Sequence, residues 1–154
     1  MITIDLTKKV RQIAPEGDQS GVIADLYVET VKSPTGKEVC SLVVVVQLAA
    51  ADDDGKRFEV SGAFGLGNRA KQRLIDEVTR LRGSPLTAAE LKTFEAEGVM
   101  LGKPCTARVV HKVEAGRMVA KLGGLLPATD ATIKVSENFV RHEDEDAEAV
   151  TTTT

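Results

Sequence analysis

Arg108 and Lys112 lie four residues apart in one alternating stretch, and Arg117 and Lys121 lie four apart in the next. Side chains alternate along an extended strand, so each pair shares a face. Glu114-Ala115-Gly116 between them reads as a hairpin turn. Folded back at that turn, the four cations form one positive surface suited to phosphates. Lys32 and Lys37 frame an earlier loop, and Arg57 opens another strand. Tyr27 is the one ring expected on an outward face, which makes it the candidate to stack on a base. These residues point to a nucleic-acid groove. An ordinary solvated face is the competing reading of the same charges.

Other constellations are weaker. Gly65-Leu66-Gly67-Asn68-Arg69-Ala70 matches a dinucleotide fingerprint between a strand and a helix. No second parallel strand ends in an acid at the right distance, so the glycines are read as permitting a sharp turn. Gly98 to Lys103 has three residues between its glycines where a phosphate loop needs four. Asp52-Asp53-Asp54-Gly55 fails as a calcium loop, because Ala50 and Ser61 would stand where acids are required. Cys105 and His111 are too far apart along one strand to form a dyad, and His111 is expected to be structural. Cys40 and Cys105 lack C-x-x-C spacing and are expected to be buried free thiols. No metal spacing and no cofactor motif survives, so the chain is expected to be non-catalytic, with no cofactor.

The composition fits one domain of 154 residues with an appendage. No apolar run is long enough to span a bilayer, and Met1 to Asp5 lacks the basic start of a signal peptide. A cytoplasmic protein is the expectation. The net charge of −3 hides an asymmetry. From Glu137 onward there are 6 acids against Arg141, which leaves 19 basic and 17 acidic residues before it. Rings are scarce, with 1 Tyr, 4 Phe and no Trp, so binding must lean on charge. Ala147 to Thr154 offers nothing to bury and is expected to be disordered.

The elements that must position these residues follow from periodicity. Ile2, Ile4 and Leu6 alternate with Thr3 and Asp5, as an edge strand or an arm reaching a neighbouring subunit. A homo-oligomer is the expectation. Gly21 to Val31 is the first long strand, with Val22, Ala24, Leu26 and Val28 on one face and Asp25, Tyr27 and Glu29 on the other. Val39 to Leu48 is apolar on both faces, so both are expected to be covered over part of its length. Arg57 to Leu66 is a strand with one buried face. Asn68 is the predicted N-cap of a helix carrying Ala70, Leu74, Ile75, Val78 and Leu81, and Gly83 stops it. Thr87 and Glu90 form a capping box for a short helix that Gly98 ends. Cys105 to Val113 and Arg117 to Leu122 make the final hairpin. Ala131 to Val135 is a candidate further short strand.

The expected fold is mainly β with inserted helices (α+β). It is a five-stranded antiparallel OB-fold-like barrel with helices between strands three and four. In such a barrel the binding surface lies on strands two and three and on the loops joining strands one to two and four to five. The expected divisions are an N-terminal arm or edge strand over 1–20, the OB-fold-like domain over 21–136, and an acidic tail over 137–154.

Several stretches resemble a family. They are Phe64 to Lys71, Leu86 to Glu90, Leu101 to Cys105, Val109 to Lys112 and Gly116 to Lys121. Over Gly21 to Pro127 the chain resembles phage-encoded single-stranded-DNA-binding and recombination-associated OB-fold proteins. The resemblance implies a non-catalytic partner of single-stranded DNA in phage replication or recombination, working in the host cytoplasm. The acidic end resembles the partner-binding tails of bacterial single-strand binders, which implies replication or recombination proteins as partners. It departs from them in ending Val150-Thr151-Thr152-Thr153-Thr154. An adaptor that binds only protein through its sheet edges is the alternative.

A mobile polyanion tethered to a basic body competes with DNA at high local concentration. Deleting 137–154 is expected to tighten DNA binding, most at low salt, where screening is least. A titration of both proteins at two salt concentrations checks this, and unchanged or weaker binding by the shorter chain refutes it.

Overall fold

The computed structural model describes residues 1–6 and 12–142. Five strands form one antiparallel sheet in the order β3-β2-β1-β4-β5. They are β1 (Gly17–Lys32), β2 (Glu38–Ala51), β3 (Arg57–Gly65), β4 (Pro104–Glu114) and β5 (Arg117–Leu126). Between β3 and β4 lie α1 (Lys71–Arg82), α2 (Ala88–Lys92) and α3 (Ala96–Met100). The fold class is therefore mainly β with inserted helices, as expected.

The long first strand is shared. Gly17 to Val22 pairs with β4, while Gly21 to Lys32 pairs with β2. A bulge between Ile23 and Asp25 makes Ala24 the extra residue. An extra residue reverses which side chains face inward. Ile23 and Leu26 consequently both enter the core, where strict alternation predicts Val22, Ala24, Leu26 and Val28. Val28 is exposed. Asp25 and Tyr27 stay on the outward face, opposite Val45 and Val43 of β2.

The core packs Leu42, Val44, Val46 and Leu48 of β2 against Val60 and Phe64 of β3. Cys105, Ala107 and Val109 of β4, Leu122 and Leu125 of β5, and Leu74 and Val78 of α1 complete it. Burying each such side chain stabilises by roughly 1.5–3 kcal/mol before the cost of chain ordering. The edge strands β3 and β5 also meet. A Cβ on Gly62 would lie 2.9 Å from the Leu122 carbonyl oxygen, so only glycine allows this approach.

α1 plugs one end. It begins at Lys71, after an Ala70 N-cap with no side-chain cap bond, so the expected Asn68 cap is displaced. The cause is the turn: a Cβ on Gly65 would lie 2.6 Å from Ala70 Cβ, and Gly67 already accepts the Lys71 N–H. Gly83 ends the helix in the left-handed conformation, as expected. Glu77 is buried against β5, and its Oε2 accepts the Leu125 N–H at 2.6 Å. Its Oε1 takes Arg80 at 3.1 Å. The carboxylate thus satisfies a backbone donor on the outer strand.

Several boundaries move. Residues 17–20 belong to β1, and Ala14 is in the core, so the arm does not extend to residue 20. The His111 Nε2–H donates to the Ala14 carbonyl at 2.7 Å, which gives this histidine the expected structural role. Gly98 sits inside α3 and does not end a helix. Residues 131–135 form no strand; they are part of a crossing segment described below. Cys105 is buried, but Cys40 is exposed, because the far end of the β1–β2 hairpin carries Val31 and Val39 outward too. Residues 143–154, which include the expected disordered end, lie outside the described residues.

The Thr87–Glu90 capping box is present as expected. Glu90 also receives the Arg82 guanidinium on both carboxylate oxygens. The Arg82 bond, helped by the Thr87 N–H, pulls the Glu90 carboxyl down to about 2. A depressed carboxyl contributes stability that is full above its unfolded pKa of about 4.3. That contribution is lost as pH falls towards about 2. Thermal melts of parent and Glu90→Gln should therefore differ above about pH 4.5 and converge near pH 2. An unchanged difference across that range would remove the ion pair from the account.

Candidate nucleic-acid interface

The β4–β5 register puts Val110 opposite Lys121, Lys112 opposite Val119, and Glu114 opposite Arg117. Opposed residues share a face. The core takes Ala107 and Val109 from β4, so Arg108 and Lys112 point outward, with Arg117 and Lys121 beside them. A tight turn at Ala115 (φ 50°) and Gly116 (φ 76°) joins the strands. The four cations are not equivalent. Arg108 Nε lies 3.3 Å from Asp18, and Lys121 lies 3.7 Å from Glu114. Among the described residues, Lys112 and Arg117 have no acidic oxygen within salt-bridge distance, and both are exposed.

The remaining candidates are dispersed. Lys32 and Lys37 are exposed at the far end of the β1–β2 hairpin. β4 pairing ends at Val22, ten residues before Lys32, so β1 separates these lysines from the basic hairpin. Arg57 has a structural commitment. Its Nε donates to the Leu48 carbonyl and one terminal nitrogen to the Lys134 carbonyl, each at 2.7 Å. Arg57 and Arg117 also line one groove with Phe58, Met118 and Ile13.

The outer face of β1 and β2 is covered by the chain's own residues 127–142. Thr106 Oγ1 donates to the Pro127 carbonyl at 2.9 Å, and Ser20 and Thr129 hydroxyls meet at 3.3 Å. Gln47 exchanges two bonds with Ser136, at 2.7 and 2.8 Å. Asp25, at 1% exposure, then takes Arg141 Nε at 3.0 Å and the His142 N–H at 2.6 Å. The His142 ring stacks on Tyr27 with centroids 3.9 Å apart and planes 21° apart. The ring expected to meet a base thus carries a histidine, and Arg141 and His142 of the expected tail lie against the sheet.

Sequence reasoning missed Asp25, Gln47, Arg141 and His142 as a group. A signal existed: Asp25 and Gln47 interrupt two of the most apolar strands. A buried charge or amide needs partners, so each implied a covering segment.

Burial pushes the Cys105 thiol up to about 12, which leaves it protonated and inert. Among the described residues, no group of three or more His, Cys, Asp or Glu side chains is placed to hold a metal. Nor is any helix there long and apolar enough to cross a membrane. Comparison with protein-family models and with curated proteins finds no match.

Asp25→Ala removes the acceptor of both Arg141 and the His142 amide. It should cost roughly 1.5–3 kcal/mol, the range for bonds to a charged group. Urea denaturation gives the loss, and faster amide hydrogen exchange at His142 should accompany it. A variant as stable and as protected as the parent would show that Asp25 does not hold the segment.

Proposed function

We propose that this chain binds single-stranded DNA without catalysis, on an OB-fold-like barrel, in phage replication or recombination. The observation that carries the reading is the basic outer face of the β4–β5 hairpin, with Arg108, Lys112, Arg117 and Lys121 side by side. Strand order supports the barrel. β1 is shared between β2 and β4, and the edges β3 and β5 touch at Gly62 and Leu122. Lys32 and Lys37 extend the path towards the other end of the sheet. Scarce rings make the contact mainly electrostatic. The acidic residues after His142 are proposed to engage replication or recombination proteins, and the chain to work as a homo-oligomer in the host cytoplasm.

Each phosphate contact on a single strand contributes about −0.7 to the log–log salt slope. Gel shifts with a short oligo-dT should weaken steeply between two salt concentrations. Replacing Arg108, Lys112, Arg117 and Lys121 together with Ala should cut affinity severely and flatten that slope by up to about 3. Their side chains leave the core, so circular dichroism should stay unchanged. A folded quadruple variant that binds like the parent refutes the assigned face. No shift by the parent at either salt refutes DNA binding and favours an adaptor.

A further inference from the structure

The outer face of β1 holds a buried carboxylate two residues from an aromatic ring. Asp25 Oδ1 accepts the Leu26 N–H at 2.8 Å and Arg141 Nε at 3.0 Å, and Oδ2 accepts the His142 N–H at 2.6 Å. Tyr27 carries the His142 imidazole in a stacked pose. Val45 and Val43 of β2 lie opposite Asp25 and Tyr27. Arg141 also approaches the exposed Glu97 at 4.0 Å. Taken together, Arg141 and His142 present one flat ring to a tyrosine and two N–H donors to one carboxylate.

That is the recognition pattern of one nucleobase. A carboxylate only accepts hydrogen bonds, so it selects a ligand edge with adjacent donors. Guanine has two, N1–H and N2–H, on its Watson–Crick edge. Adenine and cytosine set a donor beside an acceptor, and the thymine N3–H stands between two carbonyls. Unpaired bases offer this edge while stacking on an aromatic ring. We propose that Asp25 and Tyr27 form a guanine-selective subsite of the single-strand-binding surface, which Arg141 and His142 occupy until an unpaired guanine replaces them. The exchange leaves Asp25 satisfied, since two donors depart and two arrive. It also exchanges one stacked ring for another on Tyr27. The subsite rests on the single-stranded-DNA reading above.

The test uses the full chain and a labelled oligo-dT carrying one central dG, deoxyinosine, dA or dC, followed by fluorescence anisotropy. In the Arg141→Ala/His142→Ala variant, dG should bind about five- to a hundredfold tighter than all-dT, the discrimination expected of one good bidentate pair. Deoxyinosine keeps N1–H but lacks the N2 amine, so its gain should be smaller. In the parent the dG gain should shrink, because the segment competes. Asp25→Asn should abolish the dG gain over all-dT. Tyr27→Ala should also lose it, and serves if Asp25→Asn does not fold. Equal affinity for all oligonucleotides in a folded double variant overturns the subsite, as does a dG preference that survives both Asp25→Asn and Tyr27→Ala. Binding without base preference defeats the subsite alone. No binding of any oligonucleotide defeats the single-strand reading and the subsite with it.

Discussion

A carboxylate buried on the outside of the sheet governs much of this structure. Asp25 faces away from the core, yet it is almost fully removed from water. An isolated buried charge is costly, so the chain must bring donors to it. Arg141 and the His142 amide are those donors, and delivering them draws residues 127–142 across β4, β1 and β2. Gln47 and Arg57 hold the same segment along the way. The outer face of this sheet is therefore a polar interface between a sheet and a crossing segment.

The bulge at Ala24 is what reconciles the two faces of β1. It lets Ile23 and Leu26 both enter the core while Asp25 and Tyr27 face outward. Bulges also bend a strand and raise its twist. Here the bulge sits just past the point where β1 leaves β4 and continues with β2. The edge strands β3 and β5 approach each other at Gly62 and Leu122, and Gly62 lacks the side chain that would hold them apart. On the other flank, Glu77 satisfies the Leu125 N–H, so α1 is joined to β5 by a buried hydrogen bond as well as by packing.

The charges follow a similar division of labour. Arg57 and Arg141 hold the crossing segment, and Arg82 ties the end of α1 to α2. Arg80 helps to neutralise Glu77. Those arginines are committed to internal partners, whereas the hairpin cations form an outward-facing row. Lys112 and Arg117 carry that row, because Arg108 and Lys121 already have acids beside them.

Local periodicity alone determined the five strands, the β3-to-α1 unit, the hairpin turn at Ala115-Gly116 and the Thr87–Glu90 box. These depend on side chains near in sequence, and alternation or capping chemistry writes them directly into the chain. The hairpin cations were legible for the same reason, since spacing of four in a strand fixes a shared face. Tertiary structure decided the rest. A bulge is a mismatch between two strands, so no single strand's pattern records it, and the face of Ile23 could not be read locally. Arg57 looked like a free cation until Lys134 was placed beside it, 77 residues away. Tyr27 looked like an open ring until His142 was stacked on it. Contacts between residues so distant in sequence form only when the whole sheet folds, because closing such loops needs the core to fix both ends.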